Sequence, residues 1–373
     1  MPRISVVMPV YNGEDYLSEA IDSIIGQTMK DWELIIVDDC STDSTPRILR
    51  EYQKRDIRIT VLTNPVNSKT PASLNAGFRI AKGDYLTWTT DDNVYYPNAF
   101  EELLLYMENN PNCQFVYADM DLIDDKGAVI GEFVKKDPLR MYYNDIVGGC
   151  FMYTRECYKS VGEYKDEFFV IEDYEYFMRV LEKYGNLDHL DKKIYAFRIY
   201  EQTQSHQKFM YLKKLLNDHF RAPRFGFLFE KLRCNKNYLF GLYLDMLITN
   251  SVDSNMLNCF VGVLPEINEL YDLSVEDNNV IVYGAGDFGQ RTFELLGDRI
   301  DCFADRSERK IGSLYCGKPV ISPKEALTSA KEHIIVIAIE SDLVYGVFKA
   351  FQEAEADKVC TFQQIIGKNG AME

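Results

Sequence analysis

The sequence predicts an α/β protein: a doubly wound parallel sheet, then a helical connector, then a second and smaller α/β unit. Three observations carry that prediction. Over the first ninety residues, short apolar β-branched runs alternate with amphipathic helical segments. Three of these runs stop at polar or acidic residues, Tyr11-Asn12, Asp38-Asp39 and Asp91-Asp92. From Asn279 to about Gly367 the alternation resumes around a glycine-rich loop. The expected divisions are residues 1–210, 211–277 and 278–373, consistent with a chain longer than one average domain.

The elements follow in order. Ile4–Val10 is a continuous apolar run, the mark of a strand buried on both faces. Leu17, Ala20, Ile21, Ile24 and Ile25 then share one helical face between Tyr16 and Thr28. Trp32–Val37 is the second strand, and Pro46 sits in the first turn of the next helix. Ile59–Leu62 is a third strand, Pro71–Ala81 a helix closed by Gly83, and Tyr85–Trp88 the strand ending at Asp91-Asp92. A helix to Asn109, a strand at Phe115–Ala118 and a hairpin around Asp125-Lys126-Gly127 come next. Gly148–Tyr153 is apolar and glycine-rich, so backbone can approach a ligand there. Glu172-Asp173 opens an amphipathic helix, where an acid also serves as a cap or dipole partner.

Charge and composition exclude some functions. A net charge of −17 argues against nucleic-acid binding. Nine scattered cysteines with no CxxC suit reduced thiols in a cytoplasmic protein rather than a disulfide framework or zinc site. The start, MPRISVVMPVYNG, does not read as a signal peptide, and no apolar run approaches the ~20 residues that span a bilayer. The stretch from His206 to Lys236 is locally basic and aromatic. It reads as a helical linker with a cationic face, or as a docking surface for an anionic acceptor or a membrane.

Two acids at the end of a central strand lie where open α/β sheets bind ligands, and their oxygens suit a hard divalent cation beside a diphosphate. The segments VVMPVYNGEDYL, ELIIVDDCSTDST, LNAGFRIAKGDYLTWTTDDN and IEDYEYFMRV together resemble the family 2 glycosyltransferases of GT-A fold over roughly the first 210 residues. The likeness is greatest to the bacterial spore-coat-type enzymes, which share T-D-D-N at the metal site. That resemblance implies an inverting transfer of sugar from a UDP-sugar to a glycan or protein acceptor, assisted by Mn²⁺ or Mg²⁺, in surface polysaccharide or protein glycosylation.

Position by position, the resemblance implies that Pro9 and Tyr11 line the base pocket and that Asp39 accepts the uracil imide N–H. Lys69 stands where relatives carry an Arg near the nucleotide. Asp91 would contact the ribose, Asp92 would hold the metal, and Asp173 would be the catalytic base. Arg198 and His206 correspond to residues that reach the diphosphate or metal in some relatives. Many members carry an Asp where this chain has Thr89, which leaves fewer acids for the cation.

In the C-terminal part, VIVYGAGDFGQRTFELLG places Gly284, Gly286 and Gly289 between a strand and a helix, and Asp305 ends the following strand. This is a dinucleotide fingerprint in context. It allows a bound nucleotide, or a domain used only for packing or homodimer formation. Two other functions compete with transfer: a nicotinamide-linked oxidoreductase centred on the Gly284 loop, and a non-catalytic sugar-nucleotide sensor. The first lacks a downstream Tyr/Lys or His/Asp arrangement; the second rests on Thr89.

Overall fold

A computed structural model describes residues 1–134, 136–200, 214, 216–249, 251–274 and 276–369. The chain divides into two compact units, Met1–Phe209 and Met210–Glu373.

In the first unit the chain runs β1 (Ile4–Val10), α1 (Leu17–Ile25), β2 (Trp32–Asp38), α2 (Thr45–Arg55), β3 (Ile59–Thr63), α3 (Lys69–Ile80) and β4 (Tyr85–Trp88). It continues with β5 (Val94–Tyr95), α4 (Ala99–Asn109), β6 (Phe115–Ile123), β7 (Val129–Phe133), β8 (Phe151–Thr154), α5 (Arg155–Val161), α6 (Glu172–Tyr184) and β9 (Asp188–Arg198). The strands form one sheet in the order β3-β2-β1-β4-β8-β6-β9-β5, with β7 on β6. The β3-β2-β1-β4 half is parallel, as its crossover helices require. Beyond β4 the sheet is mixed: β8 is antiparallel to both β4 and β6, and β6 turns back into β7 through the hairpin expected around Asp125-Lys126-Gly127.

All seven residues of β1 are buried. Ile4, Val6, Met8 and Val10 share one core with Leu17, Ile21 and Ile24 of α1. Each such aliphatic side chain, fully removed from water, contributes about 1.5–3 kcal/mol. β2 and β4 flank β1, and the connections leave in opposite directions on its two sides. That reversal opens a crevice at the carboxyl ends of β1 and β4.

The second unit carries β10 (Val280–Tyr283), β11 (Ile300–Ala304), β12 (Leu314–Tyr315), β13 (Lys318–Ile321), β14 (Ile334–Ile337) and β15 (Val359–Thr361). Their order is β12-β13-β11-β10-β14-β15, parallel except for the β12–β13 pair. The helix Lys236–Ile248, expected in the connector, packs against the helix Ser341–Glu353, with the Phe240 ring 5.5 Å from Tyr345 and 6.0 Å from Phe348. A buried polar network joins the same two helices. Asp245 takes Arg221 Nη1 at 3.1 Å and the Ser341 hydroxyl at 2.8 Å. Breaking one partner of such a pair is costly because it strands a buried charge.

Candidate active site

The loops after β1 and β2 are fastened to each other. Asn12 N–H donates to Ser41 Oγ, Thr42 N–H to Asn12 Oδ1, and Gly13 N–H to Thr45 Oγ1, all at 2.8–2.9 Å. Pro9 is buried in register with Val37, while Tyr11 is 49% exposed at the rim of the crevice. Among the described residues of this unit, four non-glycine residues have positive φ: Asn12 (54°), Cys40 (66°), Lys69 (72°) and Val170 (78°). Asn12 follows Tyr11, Cys40 follows Asp39, Lys69 is itself a candidate, and Val170 lies three residues before Asp173. Backbone strain of this kind, greatest for β-branched Val170, persists only where surrounding contacts over-determine it.

Asp39 follows β2 and is 4% exposed. Its Oδ1 accepts from Asn64 Nδ2 at 2.7 Å and from Ser68 N–H at 2.8 Å; its Oδ2 accepts from Lys69 N–H at 2.8 Å. A carboxylate offers about four lone-pair sites. Three are used, so Oδ2 retains one for an N–H brought by a ligand. Asp39 therefore also anchors the turn that starts α3. The Lys69 side chain turns to the Phe169 ring, with Nζ 5.8 Å from its centroid.

Asp91 and Asp92 follow β4. A Cβ on Gly13 would come within 1.8 Å of Asp91 Oδ2, so the carboxylate lies directly on the turn after β1. Burial pushes the Asp91 carboxyl up to about 7, and the neighbouring Asp92 charge adds to the rise. Asp92 Oδ1 accepts from Thr90 Oγ1 at 2.5 Å and Oδ2 from Tyr200 OH at 3.1 Å. Thr89 is buried and its hydroxyl shares a 2.7 Å bond with Tyr195 OH. A carboxylate there would point into an aromatic interior instead of the crevice.

Arg198, expected from the resemblance to reach a diphosphate, holds other partners. It is 1% exposed. Its Nε donates to Asp92 O at 2.9 Å, Nη1 to Asp124 O at 3.0 Å and Asp125 O at 3.3 Å, and Nη2 to Glu19 Oε2 at 2.7 Å. Its own N–H donates to Asn93 Oδ1 at 2.8 Å, and its guanidinium covers the Tyr16 ring. In this arrangement Arg198 staples the Asp92-Asn93 turn to the hairpin and α1. His206 lies outside the described residues.

Among the described residues, no three His, Cys, Asp or Glu side chains are grouped to hold a metal ion by themselves. The pair still fits a hard divalent cation that takes one or two carboxylates and completes its shell with phosphate and water oxygens. Burial first and then the Asp92 charge disfavour the Asp91 carboxylate, and such a cation would offset both.

A second acidic group opens α6. Glu172 is 7% exposed, and its Oε2 is buried without a hydrogen-bond partner. Burial, and then the Asp173 charge, push the Glu172 carboxyl up to about 8. Asp173 is half-buried; burial, and then the charge of Asp145, raise it to about 7. Asp145 escaped the sequence reading because it sits in no regular element. Its signal was position: it lies three residues before the glycine-rich Gly148–Tyr153 run begins. Asn75 Nδ2 donates to Tyr164 O at 2.7 Å, and Trp88 Nε1 to Tyr164 OH at 2.9 Å. These bonds tie the segment leading to α6 onto α3 and β4.

In the second unit Gly284 has φ +121°, and a Cβ would stand 2.3 Å from Ala338 O; at Gly289 it would stand 2.0 Å from Gly284 O. Close packing thus accounts for both glycines, while a Cβ at Gly286 would meet open space. Asp305 accepts from Ala285 N–H at 3.0 Å and Ser307 N–H at 2.8 Å, and Lys310 Nζ donates to Ala285 O at 2.6 Å.

A parallel half-sheet with a paired acid at its switch point, followed by a mixed half, is the architecture of the GT-A fold. Comparisons with known proteins agree. The model of the family "Glycosyl transferase family 2" matches residues 5–162. The putative glycosyltransferase EpsE of Bacillus subtilis is 30% identical over 216 residues, covering 56% of this chain and 78% of EpsE. An uncharacterized protein of Sinorhizobium fredii is 30% identical over 203 residues, 53% of this chain but only 22% of that protein's length. S. aureus TarS 1-349 in complex with UDP-GlcNAc superposes with a TM-score of 0.50 at 16% identity, over 74% of this chain and 95% of TarS 1-349. The chain belongs to glycosyl transferase family 2 and is a glycosyltransferase.

Proposed function

We propose that this glycosyltransferase moves a sugar from a UDP-sugar to an acceptor hydroxyl in one inverting displacement, with Mn²⁺ or Mg²⁺ at Asp92. The observation that carries the reading is the division of acids into two groups. Asp39, Asp91 and Asp92 stand at the ends of β2 and β4, where the nucleotide half of the sheet ends. Asp173 stands at the start of α6, on the later half of the unit.

In this reading Asp39 Oδ2 takes the uracil imide N–H, with Pro9 and Tyr11 forming the walls of the base pocket. Asp91 takes a ribose hydroxyl. A divalent cation, when bound, neutralises charge on the departing diphosphate. Lys69 supplies a nearby cation, and Arg198 contributes indirectly by fixing the Asp92-Asn93 turn. Asp173 takes the acceptor hydroxyl's proton as the new glycosidic bond forms and the bond to UDP breaks. A base with a pKa near the working pH combines adequate ionisation with adequate basicity.

The acceptor is a glycan or protein hydroxyl, and the setting is surface polysaccharide or protein glycosylation at the cytoplasmic side. No helix among the described residues is long and apolar enough to cross a membrane. Calorimetric titration with a panel of nucleotide sugars, with and without Mn²⁺, tests the reading. The expected result is metal-dependent binding of UDP-sugars. Selective binding of nicotinamide dinucleotides with no UDP response would overturn it.

A further inference from the structure

Resting on the reading of Asp92 as the cation's ligand, we propose that Thr90 and Tyr200 are positioning residues for it. Their hydroxyls grip one carboxylate oxygen each and hold the group in the orientation that receives a divalent cation.

The polarity of the first grip is set by the backbone. The Arg198 N–H can only donate, and it meets Asn93 Oδ1 at 2.8 Å. That bond fixes which way round the Asn93 amide sits, in a residue only 3% exposed. Its Nδ2 then donates to Thr90 Oγ1, 2.5 Å away. Thr90 has a single hydroxyl proton, and with an N–H already aimed at its oxygen that proton goes to Asp92 Oδ1, at 2.5 Å. The chain of bonds therefore starts in the backbone at the end of β9 and finishes on the carboxylate.

The other oxygen is held from Tyr200, two residues beyond β9, whose OH lies 3.1 Å from Asp92 Oδ2. An ionised carboxylate has no proton to offer, so the phenol donates. The Tyr200 ring packs on Tyr16 at 5.5 Å between centroids, and the Arg198 guanidinium lies 4.4 Å from the centre of that same Tyr16 ring. Arg198 Nε also holds the Asp92 carbonyl. Backbone and both carboxylate oxygens of Asp92 are thus fixed by residues at or just after the end of β9, which restricts the side-chain torsions before a cation arrives. A carboxylate offers about four lone-pair sites. With one donor on each oxygen among the described residues, about two sites remain for a metal. Groups that orient a metal ligand typically govern about 10–100-fold of metal affinity.

Calorimetric titration of UDP into the whole protein, with and without Mn²⁺, tests the clamp. Thr90→Val removes the hydroxyl but keeps the branched shape, and Tyr200→Phe removes the OH but keeps the ring for Tyr16. In Mn²⁺ each should weaken UDP binding about tenfold or more, and much less without metal. Thr90→Ser restores the donor and should recover most of the loss. Thermal melting without metal reads folding separately, and Tyr200→Phe, at a half-buried position, decides the matter if Thr90→Val melts low. Full Mn²⁺-assisted affinity in either folded variant, or an equal loss with and without metal, would overturn the clamp. Wild-type UDP binding that ignores Mn²⁺ would instead remove the cation from Asp92, and the metal step of the proposed function with it.

Discussion

Replacing Arg198 by Met separates a staple from a phosphate ligand, because the two roles predict different losses. The side chain is 1% exposed and spends its donors on Asp92 O, Asp124 O, Asp125 O and Glu19. These contacts are unequal. The Glu19 side chain is 54% exposed, so that ion pair contributes about 0–1 kcal/mol. Asp125 is exposed on the hairpin, so its carbonyl regains water in the variant. The bond to Asp92 O comes from a charged donor at a half-buried turn and is worth about 1.5–3 kcal/mol. Stacking on Tyr16 adds about 0.5–1 kcal/mol. Arg198→Met should therefore cost about 2–5 kcal/mol. Urea unfolding followed by tryptophan fluorescence reads this directly, since Trp32 and Trp88 both lie in the first unit. An unchanged unfolding midpoint alongside a large loss of UDP affinity would refute the staple and restore Arg198 as a direct ligand.

The other predictions concern the two acidic groups. Asp39→Ala removes the acceptor for Asn64, Ser68 and Lys69 and should weaken UDP binding by about 1–3 kcal/mol in calorimetry. Gly13→Ala drives a Cβ onto Asp91 and should lower metal-dependent UDP affinity at least about tenfold, as overpacking costs about 1–3 kcal/mol; full affinity in that variant would mean the Asp91–Gly13 contact is not used. Asp173→Asn should melt near wild type, bind UDP-sugar normally and lose about 10²–10⁴-fold in transfer, read by UDP release.

Asp91 titrates higher in the folded protein, at about 7, than in the unfolded chain, so the folded state holds the extra proton between those two values. Its contribution to stability is greatest below the unfolded pKa and declines as pH rises towards 7. Cation binding at the pair needs the charged form. Mn²⁺-dependent UDP affinity should therefore strengthen from pH 6 to 8, and Asp91→Asn should flatten that dependence.

The parallel half of the first unit was legible because its strands are fully buried and its breaks chemically sharp. Tyr85–Trp88 is bounded by Gly83 and by two acids, and the strand matches its expected limits. β9 was not read as a strand, although Arg198 ends it. Its first half, Asp188 to Lys193, is rich in charge and half-buried or exposed, so no apolar alternation announces it. Pairing with β6 creates the strand, and that is a tertiary fact. The same limit applied to the site. Sequence showed Asp39 and Asp173 as acids at element ends. It could not show that three N–H groups converge on Asp39. Arg198 looked available because its burial depends on a hairpin seventy residues away in the chain. Charge alone does not reveal whether a guanidinium is already satisfied.

In the proposed function Asp92 and its neighbour hold a cation against the donor's diphosphate while α6 supplies the base. Titrating UDP into wild type, Asp92→Ala and Glu172→Ala, each with and without Mn²⁺, tests it most directly. Mn²⁺ should tighten UDP binding in wild type and Glu172→Ala and have no effect in Asp92→Ala. Metal dependence retained in Asp92→Ala and lost in Glu172→Ala would contradict it, and would move the cation to the other acidic group.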